Sequence, residues 1–564
     1  MHKYRFVQPV LNQRALRMTA VAGGALLALI GATSAHAIEI DTGNTDLSVR
    51  WDNTVRFNHA QRVNGIDSKI GNSAVSDEGT YSFGKNDSVA DRFDLLSELD
   101  VVYQKRHGLR LSAAGWYDAA YGGQSQTNPN APLRNIPSYV NRDYSDYVKR
   151  YYRGPSGEML DAFVFTGGDI GDVPVNVKLG RHTIYWGESL LLGGNLNSIA
   201  YAQNPLDLQK GFATPGVEAK ELFRPLGQIS GQAQLTDDFS LAAQYMFEWD
   251  SFRYPEGGTY LGPVDFAFNG PDRQFLSGAL GFAQRGDPAE PKQHGEWGLA
   301  GRWSPSWLDG TMGVYYRNFA DKLPQALITQ VGPNRSRYNL VYADDISLFG
   351  VSLAKNIAGI SVGAELSYRH NTPLVSQVLG IAPGLPEQGE TKGPRGDTFH
   401  GLANAVGVIP KTPLFDTASW LAEVSWAHWS KVRSGGNLFM AEGFAACNGK
   451  DKWDGCATRN YAGLGLGFTP TWFQVLPGVD LSAPVTYAIG LYGNAPTIFG
   501  GNQGNGNYSL GLGADVQQKY RFDLKYIDYV GHYKDNGTAV TSQNGFTTLL
   551  KDRGFVSLTF KTTF

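Results

Sequence analysis

The chain has 564 residues, of which 12% are aromatic, 69 are glycine and two are cysteine, and its formal net charge is −3. That charge is mild for the length, so we expect no nucleic-acid partner. Beyond residue 37 no apolar run approaches the roughly 20 residues that a spanning helix needs, which excludes a helical membrane protein. Glycines and aromatics together suit many short strands, although soluble β-helices share that composition.

Residues 1–37 predict a secretory signal peptide. Basic residues without any acidic residue precede an apolar run over residues 20–30, and Ala35-His36-Ala37 provides a small-residue cleavage site. The apolar run is too short to span a membrane as a helix. We therefore expect cleavage after Ala37 and a mature chain, residues 38–564, that forms a single domain.

Residues 47–57 predict the first strand, because apolar and polar side chains alternate with a period of two. One face carries Leu47, Val49, Trp51, Asn53, Val55 and Phe57, and the other carries Ser48, Arg50, Asp52, Thr54 and Arg56. This alternation suits a strand with lipid on one side and a polar lumen on the other. Seventeen further segments show the pattern less regularly: 92–104, 109–120, 158–167, 173–186, 226–235, 239–250, 296–304, 311–320, 345–355, 360–370, 398–409, 418–431, 460–473, 480–493, 507–516, 519–530 and 554–564.

The connections between these segments alternate between short and long. Residues 105–108 and 236–238 are short turns, whereas 58–91 and 251–295 are long. The sequence thus predicts an all-β fold: a transmembrane antiparallel β-barrel of about 18 strands. Strand numbers from 16 to 20 are compatible with the pattern. Short turns are expected on the periplasmic side, with both termini, and long loops are extracellular or folded inward.

The loop 187–225 is the best candidate for an inward-folded constriction. Charges of both signs lie beside aromatic and proline residues from Gly180 to Glu221. The candidate residues are Arg181, Trp186, Glu188, Asn204, Asp207, Glu218, Lys220 and Glu221. They could form a charged eyelet that selects solutes. Alternatively, they pin the loop to the barrel wall, with Trp186 at the membrane interface.

At these residues the chain resembles the domain-of-unknown-function thirteen-oh-two (DUF1302) family of proteobacteria. The shared order is Gly-Arg, Trp-Gly-Glu-Ser, Asn-Pro-x-Asp and Pro-Gly-x-Glu-x-Lys-Glu, and the resemblance covers the whole mature chain. It implies an outer-membrane barrel encoded near transporters of the efflux superfamily. Some such neighbourhoods belong to pathways for hydrophobic compounds, which suggests that hydrophobic molecules pass through the barrel.

Together these features predict a channel or transporter for small molecules, hydrophobic ones included, in the outer membrane of a Gram-negative bacterium. The expected partners are outer-membrane lipid, the barrel-assembly machinery, a solute and an efflux-type transporter system. The main alternative is an accessory or structural envelope protein that works with such a transporter. A membrane hydrolase is the third reading, but residues 187–191 lack the closing glycine of a nucleophile elbow.

Cys447 and Cys456 predict a disulfide that closes a small loop, since a close pair in an exported chain is most simply oxidised. Free or metal-ligating thiols are the alternative. We expect no metal site, because the histidines are dispersed without a His-x-x-x-His pair. No catalytic residue and no cofactor are predicted.

The last predicted strand, 554–564, alternates in the same way. Val556, Leu558, Phe560 and Phe564 share one face. Terminal aromatics after such alternation resemble the signal that the barrel-assembly machinery reads, so Phe560 and Phe564 are assigned to that signal. The strand is expected to pair with residues 47–57 and so to close a ring.

Overall fold

The computed structural model describes residues 38–73, 75–130, 137–191, 197–214, 217, 219–277, 281–332, 335–377 and 393–564. The predicted signal peptide lies outside these residues. Eighteen long strands form the main sheet. Their bounds are β1 Leu47–Arg62, β2 Ser88–Tyr103, β3 His107–Asp118, β4 Ser156–Ile170, β5 Val173–His182, β6 Leu226–Gln234, β7 Phe239–Met246, β8 Trp297–Trp303, β9 Gly310–Phe319, β10 Ile346–Ile357, β11 Ile360–Pro373, β12 Arg395–Ile409, β13 Thr417–Ser434, β14 Asn460–Leu476, β15 Val479–Ser482 with Val485–Tyr492, β16 Gly506–Val516, β17 Tyr520–Val530 and β18 Phe555–Thr563.

The strands pair antiparallel in chain order, and the ring closes where β18 pairs with both β17 and β1. In the closing pair Thr54 lies opposite Thr563, and Arg62 lies opposite Phe555. This closed antiparallel barrel of eighteen strands confirms the predicted fold. Each predicted segment overlaps one strand; residues 398–409, for example, lie within β12.

Side chains alternate between the two faces of the barrel wall. The outward face carries large apolar side chains that are more than a third exposed in the isolated chain. Examples are Trp51, Phe93, Val164, Leu179, Ile229, Val314, Phe349, Leu366, Val424, Leu512 and Leu558. The residues between them face inward and include buried Arg56, Asp94, Glu365 and Glu423. An apolar exterior around a polar interior is the arrangement of a barrel surrounded by lipid.

The sheet is irregular at the closing seam. Strand β18 is shorter than β1, and Phe564 and Asn53 exchange backbone hydrogen bonds of 2.7 and 2.9 Å. Beyond that point a short strand, Ile38–Ile40, pairs with β1 opposite residues 49–51. Phe560 faces outward beside Phe522, with ring centroids 5.1 Å apart. The assembly role of Phe560 and Phe564 stays a prediction.

The long connections contain their own secondary structure. Four short strands, Arg273–Ser277, Gly281–Arg285, Gln325–Gly332 and Arg335–Val341, form a second sheet, and Tyr533–Asp535 pairs with Val540–Gln543. Short helices are Ser68–Gly71, Glu78–Tyr81, Ala119–Tyr121, Val140–Arg142, Asp146–Val148, Lys149–Arg153, Ala200–Ala202, Leu208–Ala213, Ala219–Leu222, Ala445–Cys447, Lys452–Asp454 and Phe546–Leu550. No helix in the described part of the chain has the length and apolar character to cross a membrane.

Two of the long connections fold into the barrel. We call residues 183–225, between β5 and β6, the inner loop, and residues 247–271, which follow β7, the mouth loop. The inner loop contacts inward-facing residues in the middle of the strands, such as Glu365 and Arg56. The mouth loop contacts residues at the long-loop end, such as Phe555. The interior therefore holds two layers of chain.

Candidate constriction inside the barrel

The first part of the inner loop is held by two carboxylates of the wall. Glu365 of β11 accepts hydrogen bonds from the backbone N–H groups of Glu188 and Ile199, both at 2.9 Å. Glu423 of β13 accepts from the backbone N–H groups of Leu190 and Leu191, at 2.7 and 3.2 Å. Both carboxylates are almost fully buried. Because charged acceptors form the stronger hydrogen bonds, these contacts fix the loop backbone against β11 and β13.

Glu188 lies against the same wall. Its Oε1 accepts from the hydroxyl of Ser352 on β10 at 3.0 Å, and its backbone carbonyl accepts from Nδ2 of Asn404 on β12 at 2.5 Å. The Asn404 amide also donates to Glu423 at 3.2 Å. With its backbone N–H donating to Glu365 of β11, this one residue of the loop contacts three neighbouring strands directly.

Glycines in the wall make room for this part of the loop. A Cβ atom at Gly465 of β14 would lie 2.4 Å from Cδ1 of Leu191, and one at Gly350 of β10 would lie 2.5 Å from Cδ1 of Ile199. Both distances are far below van der Waals contact. The inward-facing glycines therefore allow Leu191 and Ile199 to pack directly on the sheet.

Trp186 belongs to a buried apolar cluster on the same side. It is 5% exposed and packs with Ile199 and with Tyr315, Ile346 and Leu348 of the wall. Tyr315 and Leu348 face inward. The alternative that places Trp186 at the membrane interface is therefore wrong, since its side chain lies inside the barrel.

The second part of the inner loop reaches the opposite side. Asp207 caps the helix Leu208–Ala213 by accepting from the backbone N–H of Lys210 at 2.9 Å. It also accepts from Arg253 of the mouth loop at 3.1 Å, and Arg253 in turn forms a second ion pair with Glu158 of β4 at 2.6 Å. Burial would raise the pKa of Asp207, but Arg253 and Lys210 hold it below its usual value.

Beyond that helix, the loop is fixed to the first two strands. Glu221 and Arg56 of β1 form two parallel hydrogen bonds of 2.8 Å, and both side chains are almost completely buried. Lys220 forms an ion pair with Glu98 of β2. The inner loop consequently spans the lumen, from β10–β14 on one side to β1 and β2 on the other.

The remaining sequence-predicted residues are Arg181, Asn204 and Glu218. Arg181 points away from the lumen, because it alternates with Gly180 on β5 and shares the face of outward Leu179; it pairs at 2.7 Å with Glu248. It does not join the charges inside the barrel. Asn204 donates to the backbone carbonyl of Ile184 at 3.0 Å and so ties the loop to itself. Glu218 lies outside the described residues.

The mouth loop crosses from β7 to the closing seam. Tyr260 packs on Phe555 of β18, with ring centroids 6.0 Å apart, and its hydroxyl donates to the carbonyl of Gly554 at 3.3 Å. Arg553 donates to the carbonyls of Tyr260 and Gly262 at 2.8 and 2.6 Å. The sequence did not predict this second inward loop, because nothing in residues 247–271 distinguishes it from a solvated loop.

Glu365, Glu423 and Arg56 were not predicted as site residues. Each is a charged residue on the polar face of a predicted strand, which was the available signal, but many other lumen-facing residues share it. Their partners are mostly backbone N–H groups more than 160 residues away in sequence. Only the folded chain identifies which polar residues hold the loop.

Cys447 and Cys456 are joined by a disulfide, in the long connection between β13 and β14. The disulfide lies apart from the inner loop. Among the described residues no group of three or more His, Cys, Asp or Glu has an arrangement that could hold a metal ion.

The fold and the spanning loop define a class of protein: a closed eighteen-stranded barrel with a loop folded across its lumen. The chain belongs to the family described as "Protein of unknown function (DUF1302)", whose model matches residues 18–564. No curated protein matches the sequence.

Solved structures show a similar fold at low identity. Acinetobacter baumannii OccAB4 is 8% identical with a TM-score of 0.40, and the match covers 92% of this chain and 98% of that one. Pseudomonas aeruginosa OpdK with vanillate gives the same values. The outer membrane channel DcaP of A. baumannii is 9% identical with a TM-score of 0.36, covering 94% of this chain and 99% of that one.

Proposed function

We propose that the protein is a channel or facilitator for small molecules in the outer membrane of a Gram-negative bacterium, and that the inner loop forms its constriction. The observation that carries this proposal is the attachment of the inner loop at both sides of the lumen, through Glu365 and Glu423 on one side and Arg56 on the other. A loop held in this way narrows the barrel at a fixed place. The apolar exterior supports the location in a membrane.

A hydrated space on the short-turn side of the inner loop supports passage of solutes. Arg110 of β3 is 26% exposed and pairs with Asp100 and Asp161, which are 29% and 20% exposed. The Lys220 side chain is 42% exposed at the edge of the inner loop. Charged groups that remain exposed inside a barrel of this size line a water-filled vestibule. We assign this side to the periplasm.

Apolar side chains also reach this interior. Tyr185 and Leu190 of the inner loop are 46% and 45% exposed. Tyr185 packs on Phe223 of the same loop, with ring centroids 5.7 Å apart, close in sequence to Lys220 and Glu221. The inner loop therefore offers both polar and apolar surface. This mixture supports including hydrophobic molecules among the solutes, in line with the family resemblance.

Conductance in planar lipid bilayers tests the proposal. The wild-type protein should give discrete steps, and a Glu365→Gln, Glu423→Gln double variant should give larger or noisier steps, because each carboxylate holds two loop N–H groups. Glu442→Gln is the matched control: it makes the same change at an exposed carboxylate in the connection between β13 and β14 and should leave the steps unchanged. If wild type, double variant and a variant lacking residues 187–222 are all silent, the channel proposal fails.

The two layers of chain inside the barrel favour one alternative, an accessory protein that conducts nothing by itself. In that case an efflux-type transporter should co-purify with the protein from cross-linked envelopes. Deletion should then reduce tolerance of hydrophobic compounds while bilayers containing the purified protein stay silent. Conductance by the purified protein would contradict this alternative.

A further inference from the structure

Three carboxyl groups meet where the mouth loop contacts two other long loops. Asp265 of the mouth loop accepts from the backbone N–H groups of Asp77 and Glu78, at 2.9 and 3.1 Å. All three side chains are at most 6% exposed. Ionised carboxylates this close together in a buried site repel one another, so a proton on at least one of them favours the contact between these loops.

Both neighbouring loops are fixed to this cluster. Glu78 accepts from the backbone N–H of Ser138 and, at 3.0 Å, from its hydroxyl. Asp77 accepts from the backbone N–H of Asn128 at 2.6 Å. The cluster thus connects residues 63–87, residues 119–155 and the mouth loop.

A fourth carboxyl group, Glu256, lies inside the mouth loop. Its Oε2 accepts from the backbone N–H of Gly270 at 2.6 Å, and it is 1% exposed. Its Oε1 is buried, and the backbone N–H of Asn269 is the only other group that acts on this carboxyl group as a hydrogen-bond donor among the described residues. An ionised carboxylate with so few donors in such a site is unfavourable, whereas the protonated form is tolerated.

Few opposite charges compensate these groups. Arg553 acts electrostatically on Asp265, but its hydrogen bonds go to backbone carbonyls, including those of residues 260 and 262, and to the hydroxyl of Thr80. Arg285 acts on Glu256 from a distance. In the described part of the chain none of the four carboxyl groups forms an ion pair with Lys or Arg. The other titratable or charged groups that face the cluster are Tyr81, Tyr139, Tyr144, Tyr147, Tyr152, Tyr338, Tyr342 and Asp552.

We propose that Asp77, Glu78, Asp265 and Glu256 form a proton-dependent latch that holds the mouth loop across the barrel. Protonated, the four groups keep their hydrogen bonds to the loop backbones without repelling one another. Ionised, they place like charges in a buried site, so the mouth loop separates from residues 63–87 and the barrel opens. This inference rests on the proposed function only in its last step, the opening of a conducting path.

The pKa values give the direction and the pH range. Burial raises the pKa of Glu78 and of Glu256 from 4.5 to about 8, and burial with the neighbouring Asp77 and Glu78 raises that of Asp265. In the closed loop Glu78 and Glu256 stay protonated up to about pH 8, whereas in an open, solvated loop they would lose their protons above their ordinary pKa of 4.5. The closed state is therefore most stable at acid pH and loses stability as pH rises towards about 8.

Hydrogen exchange of the full-length protein in lipid vesicles tests the latch directly. Between about pH 5 and pH 9, protection of residues 256–265, corrected for the intrinsic rate, should fall at least about tenfold. The Glu78→Gln, Glu256→Gln variant should retain high protection at both pH values, because each amide reproduces the neutral carboxyl group. Glu442→Gln, which neutralises an exposed carboxylate, should behave like wild type.

Two results would overturn the latch: equal wild-type protection at both pH values, or an undiminished pH response in the double variant. If the double variant does not assemble, Glu256→Gln alone should reduce the pH-dependent fall in protection. An undiminished fall in that variant would then overturn the latch. Conductance measured on the same samples separates the two proposals. A pH-dependent protection supports the latch even if wild type, the Glu365→Gln, Glu423→Gln variant and the variant lacking residues 187–222 are all silent, a result that rejects the channel. Conductance steps without pH-dependent protection support the channel and reject the latch.

Discussion

Arg56 and Glu221 lie 165 residues apart in the chain and face each other through two hydrogen bonds of 2.8 Å. Arg56 belongs to β1, the strand that closes the ring with β18, and Glu221 belongs to the inner loop. A second carboxylate, Asp94 of β2, lies 3.7 Å from the same guanidinium. The end of the inner loop is therefore attached directly to the seam of the barrel.

Glu221→Gln should release this end of the loop. The change leaves the buried Arg56 guanidinium with Asp94 as its main carboxylate, and loss of one partner of a buried pair typically costs roughly 3–5 kcal/mol. Urea unfolding in lipid vesicles, followed by tryptophan fluorescence, measures the loss. Asp169→Asn is the control, since it breaks the exposed pair with Arg106 and should cost at most about 1 kcal/mol. Equal losses would contradict a special role for Arg56 and Glu221.

Gly465→Val should displace the other end of the loop. Its side chain would occupy the space of Leu191, so the N–H groups that donate to Glu423 move away from the wall. We expect larger and more variable conductance with little change in the amount of assembled barrel. Gly115→Ala is a matched control, because a Cβ there meets its nearest atom at 3.7 Å. Unchanged conductance in Gly465→Val would show that Leu191 does not set the constriction.

Lys220→Met should change ion selectivity. The Lys220 side chain is 42% exposed beside Glu98, so its removal leaves the vestibule more negative at the constriction. Under a salt gradient the reversal potential should shift towards cation selectivity. Lys411→Met provides the comparison, since Lys411 is 79% exposed in the turn between β12 and β13 and lies outside the lumen. A shift of the same size in both variants would locate the effect outside the constriction.

The barrel itself was predictable from local sequence. A period of two specifies a two-faced strand, and the alternation of short and long connections specifies antiparallel neighbours. Segment 398–409 belongs to β12. The strand extends back to Arg395, an extension that the neighbouring Pro394 and Gly396 do not predict. The observed strand ends differ from the predicted ones by a few residues, because hydrogen-bond pairing with the neighbouring strands decides where a strand ends and the pattern of one segment does not.

The constriction was predictable only in outline. The charged residues of the inner loop were identifiable, but their partners were not. Glu188, for example, contacts Ser352 and Asn404, which lie on strands far away in sequence that only the closed barrel brings near the loop. Arg181 was grouped with the loop by proximity in sequence, whereas strand alternation turns it outward. The mouth loop was missed because its anchors, Tyr260 against Phe555 and Asp265 against Asp77, are contacts between distant segments with no local pattern.

The attachment of the inner loop to both walls has a consequence for biogenesis. Glu365 and Glu423 hold one part of the loop and Arg56 holds the other, so the loop crosses the space that β18 encloses when it pairs with β1. A ring that closed first would have to admit this segment through an opening already narrowed by the mouth loop. Segment 183–225 should thus dock while the sheet is still an open curved surface, and the last step of assembly would seal it inside.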